Sequence, residues 1–415
     1  MNRNTLEKLQ NLREFAETQL SETILPFWRN TMPDKEHGGF FGETSFSGTP
    51  LPEASKSLIL NARILYFFSA MFSRTKNPVE LQLAKRAFHY ICDHFFDHVH
   101  HGYFWSLDYR GNPDNTKKQV YALAFVLYGM SEYYLASNNE DALAKAIALF
   151  LLIEEKCADQ ANNGYFEAFQ ENWTELDDQR LSNKDMNERK TMNTHLHLLE
   201  GYTNLYRVWK EPFLYKKIKN LINLFLYRFI SYSDNHLHLF FDDTWNLKSS
   251  LISYGHDIEA TWLLNEAALA LGNGHIIKRV EGRITHMTIA GMEGIDQHGG
   301  LVHERDRVKA DTETYYEWWP QAEALTGFMN TFVIRGKKSY LNAAVRIASF
   351  IRDHFLDREN GEWFFKIDNQ LVPVNTTYKA GLWKGPYHNG RACLKIIQQT
   401  DQVLNKSVTP AKGYL

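Results

Sequence analysis

The sequence predicts an all-α fold, an (α/α)6 barrel of six helical hairpins with short β-turn or hairpin connections. A turn motif recurs six times, its spacing is nearly constant, and apolar residues between the turns return at helical period. The turns are aromatic and glycine-marked: "HGGFFGE" from His37, "HGYFWSLD" from His101, "NGYFEAF" from Asn163, "NHLHLFFDD" from Asn235, "HGGLVHERD" from His298 and "NGEWFFKID" from Asn360. Successive spacings are 64, 62, 72, 63 and 62 residues.

The segments leading into these turns also agree. "AFHYICDHFFDHVHHGYFW" and "IASFIRDHFLDRENGEWFF" share the order of apolar positions, the Asp-His-Phe core and the closing aromatic turn, which marks internal duplication. Between turns, "VYALAFVLYGMSEYYLA" and "AEALTGFMNTFVIRG" carry apolar residues at helical spacing, with room for two helices per unit. Six units in about 400 residues fit a closed ring better than an open stack, which needs atypical caps. The starts of the inner helices then converge on one pocket. No linker or composition shift divides the chain, so residues 1–415 are expected to form one catalytic domain.

The longest spacing contains "NWTELDDQRLSNKDMNERKTMN", a polar stretch before a helix. A loop of that length in a compact domain is usually functional, and it is expected to form a rim over the pocket. The turn aromatics Phe40, Phe104, Trp105, Phe166 and Trp363 recur with the period and are expected to seal each hairpin.

Composition narrows the ligand. With Lys+Arg 46 against Asp+Glu 49 the net charge is -3, and no basic run appears, so an uncharged small molecule is expected rather than nucleic acid. Three widely spaced cysteines, Cys92, Cys157 and Cys393, suit reduced thiols. No signal-peptide stretch or membrane-length apolar run is present, so a cytoplasmic protein without membrane contact is expected, acting as a monomer.

Four polar clusters stand at helix starts. In "MNTHLHLLEGY", Asn193, His197 and Glu200 share one helical face and His195 points elsewhere. In "YGHDIEATW", His256 and Glu259 share a face, while Asp257 is placed to cap or to meet a neighbouring helix. In "YYEWWPQAEAL", Trp319 and Glu323 share a face, and Pro320 suits a helix start. "LWKGPYHNGRACL" brings Trp383 and His388 to the mouth of a last helix. Equivalent positions in three repeats thus supply His197, His256 and His388. Imidazoles take and return protons near neutral pH, so a pair on opposite sides of a carbon suits reversible proton transfer. An acid behind each, Glu259 or Glu323, is expected to fix its tautomer.

The bland alternatives have their places. His89, His94, His98, His100, His354 and His195 read as structural. A zinc site from the three clustered histidines is chemically conceivable, but "GHDIE" lacks the second histidine of HExxH, and no metal is expected. Arg63, inside the apolar "ILNARILYF", must find a glutamate or a substrate as partner.

"NTHLHLLE", "YGHDIEATWLL", "WWPQAEAL" and "WKGPYHNGRAC", in this order, resemble the cellobiose 2-epimerase group of the N-acylglucosamine 2-epimerase family, over essentially the whole chain. The resemblance implies an (α/α)6 barrel, no cofactor, and inversion at C2 of the reducing-end sugar of a β-1,4-linked disaccharide. It implies that His256 and His388 are the acid/base pair, that His197 and Arg63 hold the enediolate oxygens, and that Glu259 and Glu323 orient the histidines. It further implies that Tyr121, Asp185 and Asn193 bind sugar hydroxyls and that Trp319 and Trp383 stack on the two rings. Relatives acting on mannose or N-acetylglucosamine are the near alternatives. A glycoside hydrolase using paired carboxylates such as Glu259, Glu323 or Asp243, or a non-catalytic sugar binder, are the distant ones.

Overall fold

A computed structural model describes residues 2–309, 313 and 315–408. Six inner helices, α3 (Leu58–Thr75), α5 (Val120–Ser137), α7 (Met192–Val208), α9 (Tyr254–Leu271), α11 (Trp318–Arg335) and α13 (His388–Val408), alternate with an outer layer. The outer layer holds α1 (Arg3–Thr18) and α2 (Leu25–Asn30), joined by a π-helical segment, then α4 (Pro78–Tyr90), α6 (Glu140–Lys156), α8 (Pro212–Leu224), α10 (Gly274–Gly291) and α12 (Lys338–Phe350). This is the expected (α/α)6 barrel.

Sequence character assigns the layers. The inner helices α3, α5, α9 and α11 are largely apolar all round and buried between neighbours, whereas α8 and α12 bury one stripe and expose the other. Adjacent inner helices pack in order from α3 to α13. Their close approach requires glycine: a Cβ on Gly129 of α5 or Gly201 of α7 would stand 2.8 Å from a carbonyl oxygen of the preceding inner helix, Ala62 or Ala124. The ring closes where the edge of Tyr66 meets Tyr387, and where α1 packs along α13 with Arg13 bound to Asp401 at 2.7 Å.

The two poles differ in construction. At one, inner helices pass to outer ones through tight links: Lys76 and Asn138 adopt the left-handed conformation, and Asn77 and Asn139 then cap the next helix. At the other pole lie the recurrent turns. There the short strand before each of five inner helices pairs antiparallel with the strand after the next unit's turn, as Lys190–Thr191 does with Phe240–Phe241, so the ladders tie neighbouring units together. Phe40, Phe104, Trp105 and Trp363 are buried there as expected, and Phe166 is half-buried.

Four of the six turns are pinned from beneath by a buried ion pair. Asp34, Asp97, Asp159 and Asp357 accept backbone N–H groups of their own turns with one oxygen. With the other they hold a buried lysine: Lys56, Lys118 and Lys190 at 2.7 Å, and Lys379. Lys56, Lys118 and Lys190 stand two residues before α3, α5 and α7, so each pair fixes where an inner helix begins. In the fifth unit the Tyr316 hydroxyl donates to Asp296 instead.

Candidate active site

The helix starts open into a cavity of about 970 Å³ lined by Arg63, Tyr121, Asn193, His197, His256, Glu259, Trp319, Trp383 and His388, among others. His89, His94, His98, His100, His195 and His354 do not line it. His195 is a buried structural residue: its Nε2 accepts from the Tyr165 N–H at 2.9 Å and its Nδ1 donates to the Thr191 carbonyl at 2.7 Å.

His197, His256 and His388 come from α7, α9 and α13 and line the cavity; His197 and His388 are buried, and His256 is half-buried. Trp319 joins two of them: its ring lies 4.6 Å from that of His256 and 5.8 Å from that of His388. The Trp319 indole N–H donates to Glu317 at 3.0 Å, which fixes the ring between them. His388 Nδ1 lies 2.7 Å from Glu323, and His197 Nδ1 lies 3.0 Å from Glu200. Both carboxylates accept the Nδ1 proton, which leaves Nε2 as the basic atom.

Burial pulls all three imidazoles below their ordinary range. His256 falls to about 3, helped by the repulsion of His197, His303 and His388 when charged. His388 is pushed well down by burial and by the nearby Arg63 and Arg391 guanidinium groups, and His197 is lowered by burial despite Glu200. At neutral pH they are uncharged bases.

One expected partner is corrected. Glu259 does not hold a histidine: its carboxylate accepts from Arg391 at 3.1 Å, and His256 Nδ1 meets the Ser253 hydroxyl at 2.8 Å. Residues three apart share a face, but a carboxylate on α9 reaches inward to the opposing cation. Arg63, expected to pair with a glutamate or with substrate, bonds no glutamate among the described residues. It donates to the Trp383 carbonyl at 2.7 Å and the Tyr121 hydroxyl at 2.9 Å, with the rings of Phe125 and Tyr387 against its guanidinium.

The other expected residues take rim or wall positions. The loop with Asp185 covers one side of the mouth, and residues 179–186 line the cavity. Burial raises the Asp185 carboxyl above its usual range, and it accepts the Ser182 N–H at 2.8 Å. Asn193 lines the cavity, and its side-chain oxygen is buried with no hydrogen-bond partner among the described residues. Trp383 is half-buried beside Trp105, ring centres 6.2 Å apart. Asp257 neither caps its helix nor meets a neighbouring one: it holds the fourth turn, accepting from His236 Nδ1 and the Leu237 N–H, both at 2.7 Å.

Sequence reasoning missed the hub beneath the histidines. Arg391 is buried and donates to Glu200, to Glu323 at 2.7 Å and to Glu259. Tyr387, four residues before it, donates to Glu200 as well. The signal was present in "YHNGRAC", where Tyr387 and Arg391 stand one helical turn apart around His388. Burial opposes the Glu200 charge, yet Arg391 and His197 hold its carboxyl below the usual range. Burial and the adjacent Glu323 push Glu259 well up. Glu259, Glu323 and His388 also offer ligand atoms within 4.8 Å of one another, but the Arg391 guanidinium already bonds both carboxylates and supplies the positive charge.

Residues 39–392 match the family described as N-acylglucosamine 2-epimerase (GlcNAc 2-epimerase). The cellobiose 2-epimerase of Bacteroides fragilis is 43% identical over 386 residues, 93% of this chain and 98% of that protein. That of Dictyoglomus turgidum is 37% identical over 92% of this chain and 96% of its own. The solved structure of the cellobiose 2-epimerase from Spirochaeta thermophila superposes with a TM-score of 0.90 at 36% identity, covering 95% of this chain and 98% of that one. By its motifs and by the match over residues 39–392, the chain belongs to the N-acylglucosamine 2-epimerase family.

Proposed function

We propose that the chain is a carbohydrate isomerase that inverts C2 of the reducing-end glucose of β-1,4-linked disaccharides such as cellobiose and lactose, giving mannose there. The observation that carries this reading is the placement of His256 and His388 against one indole, both uncharged at neutral pH. Ring opening exposes an aldehyde that acidifies the C2 proton. One neutral imidazole removes that proton, and the other, having taken up a proton from solvent water, returns it to C2 from the opposite face, after which the first releases its proton to solvent. The enediolate formed between these steps carries negative charge; Arg63 supplies a fixed donor for its oxygens, and His197, its Nδ1–H held by Glu200, donates from Nε2 once that atom has taken up a proton. Glu323 holds His388, and Glu200 holds His197.

Tyr121, Asn193 and Asp185 are assigned to sugar hydroxyls, Trp319 to the reacting ring and Trp383 to the second ring. The proton transfers need imidazoles alone, so the proposal includes no cofactor. No described helix is long and apolar enough to cross a membrane, and Cys92, Cys157 and Cys393 are unpaired, which supports a cytoplasmic enzyme. We take residues 1–415 as one catalytic domain acting as a monomer.

Product analysis over cellobiose, lactose, mannose and N-acetylglucosamine in parallel tests the reading. The expected result is a product of unchanged mass with mannose at the reducing end of the two disaccharides, and weaker turnover of the monosaccharides. Release of monosaccharides from cellobiose would instead identify a hydrolase.

A further inference from the structure

The three clustered histidines are not held alike, and the difference lies in one residue of the repeat. Ser57, Thr191 and Ser253 occupy the same place, immediately before the inner helices α3, α7 and α9. In two of these units the hydroxyl is a helix cap: Ser57 accepts the Leu60 N–H at 3.2 Å, and Thr191 accepts the Thr194 N–H at 3.1 Å. Ser253 makes no such cap. Its hydroxyl, fully buried, turns to the side chain three residues on and meets His256 Nδ1 at 2.8 Å. The helix thus forgoes an interaction worth about 1 kcal/mol at an ordinary N-terminus.

We infer that Ser253 is a positioning residue for His256, and that its hydroxyl gives this imidazole a freedom the carboxylate partners deny to His197 and His388. A carboxylate can only accept, so Glu323 and Glu200 lock the Nδ1–H form of their histidines. A hydroxyl accepts or donates. When it accepts from Nδ1–H, His256 shows the cavity a basic Nε2. When it donates to Nδ1, the ring shows an Nε2–H. The serine also adds no negative charge, so His256 stays uncharged where a carboxylate partner would favour the imidazolium. The groups acting on His256 from other elements are His197 on α7, Glu323 on α11, His388 on α13 and His303 on the turn after α10, with Trp319 packed on its face.

The inference rests on the proposed C2 chemistry, and its test separates the two. In wild-type protein, absence of C2 epimerisation refutes the chemistry alone. For Ser253, the measurements are kcat, KM and the pH dependence of kcat/KM on cellobiose for Ser253→Ala, Ser253→Thr and Ser253→Asp. They are paired with the nitrogen-15 NMR titration of His256, assigned by its loss in His256→Asn. Ser253→Ala is expected to lower kcat by about tenfold with KM little changed. Ser253→Thr, which keeps the hydroxyl as Thr191 does, is expected to restore it. Ser253→Asp is expected to raise the His256 titration and move the acid limb of kcat/KM to higher pH, a shift visible by NMR even without turnover. Wild-type kcat and an unmoved titration in Ser253→Ala, whatever its thermal stability, would reduce Ser253 to a packing residue and overturn the inference. Equal impairment of the Ala and Thr variants would do the same.

Discussion

Two buried charge systems lie at the same pole of the barrel and are built differently. Under the turns, each lysine is matched to one aspartate: Lys56 with Asp34, Lys118 with Asp97, Lys190 with Asp159, Lys379 with Asp357. Under the histidines, one guanidinium serves three carboxylates, Glu200, Glu259 and Glu323. The one-to-one pairs are balanced: each aspartate lies below its usual range, held by its lysine and by backbone N–H groups against the opposing effect of burial. The shared cluster cannot satisfy all its acids at once, so Glu259 is pushed up while Glu200 is pulled down. Balance gives a rigid scaffold, whereas imbalance gives a set of proton affinities spread apart, the condition acid/base chemistry requires.

Removing the hub should have the largest effect. Arg391→Met leaves Glu200, Glu259 and Glu323 buried without their cation. It is expected to cost about 3–5 kcal/mol of stability or more, and to lower kcat at least about 10²-fold per folded molecule. Arg391 does not line the cavity, so KM should change far less than kcat. Chemical denaturation together with steady-state kinetics on cellobiose checks both.

Breaking a scaffold pair should separate stability from chemistry. Lys190→Met strands a buried Asp159 and is expected to destabilise by about 3–5 kcal/mol, with kcat of the remaining folded protein near wild type. The double variant Lys190→Met/Asp159→Leu should recover much of the loss in a denaturant titration, because an apolar pair avoids desolvating two charges. A collapse of kcat in folded Lys190→Met would erase the distinction between the two systems.

The pH dependence is a smaller, global effect. His195 and His256 both titrate near 3 in the folded state, and His197 and His388 are lowered too. Below about pH 6.5 the unfolded chain binds protons that these folded imidazoles refuse, so stability should fall as pH drops from there toward 3. His236 opposes this: Asp257 raises it above its ordinary range despite burial, so its contribution is present at low pH and lost as pH rises. Thermal unfolding between pH 4 and 8 should show the net decline on the acid side.

The barrel was legible because its period is written twice, in the turns and in the helical spacing of the apolar residues. The three histidines were legible because they recur at equivalent helix starts. The partners were less so. Glu323 reaches His388 from the neighbouring inner helix, 65 residues away in sequence, and was found through the family resemblance and its place beside Trp319. Glu259 misled because sharing a helical face with His256 does not decide which way a carboxylate turns, and a buried guanidinium on α13 attracts it more strongly than a neutral ring. Arg391 escaped notice as one arginine within a helix, its role set by three carboxylates from three other helices. The Lys–Asp pins were hidden for a similar reason: lysine before a helix reads as solvent-exposed until the turn above it folds over.

The central claim is that two uncharged imidazoles, His256 and His388, exchange the C2 proton of an opened sugar. Incubating the enzyme with cellobiose in deuterium oxide and reading C2 of the epimer by proton NMR tests this directly. The account predicts deuterium at C2 of the mannose-containing product, formed by the wild type and lost in His388→Asn. Epimer that retains its original C2 hydrogen would contradict it.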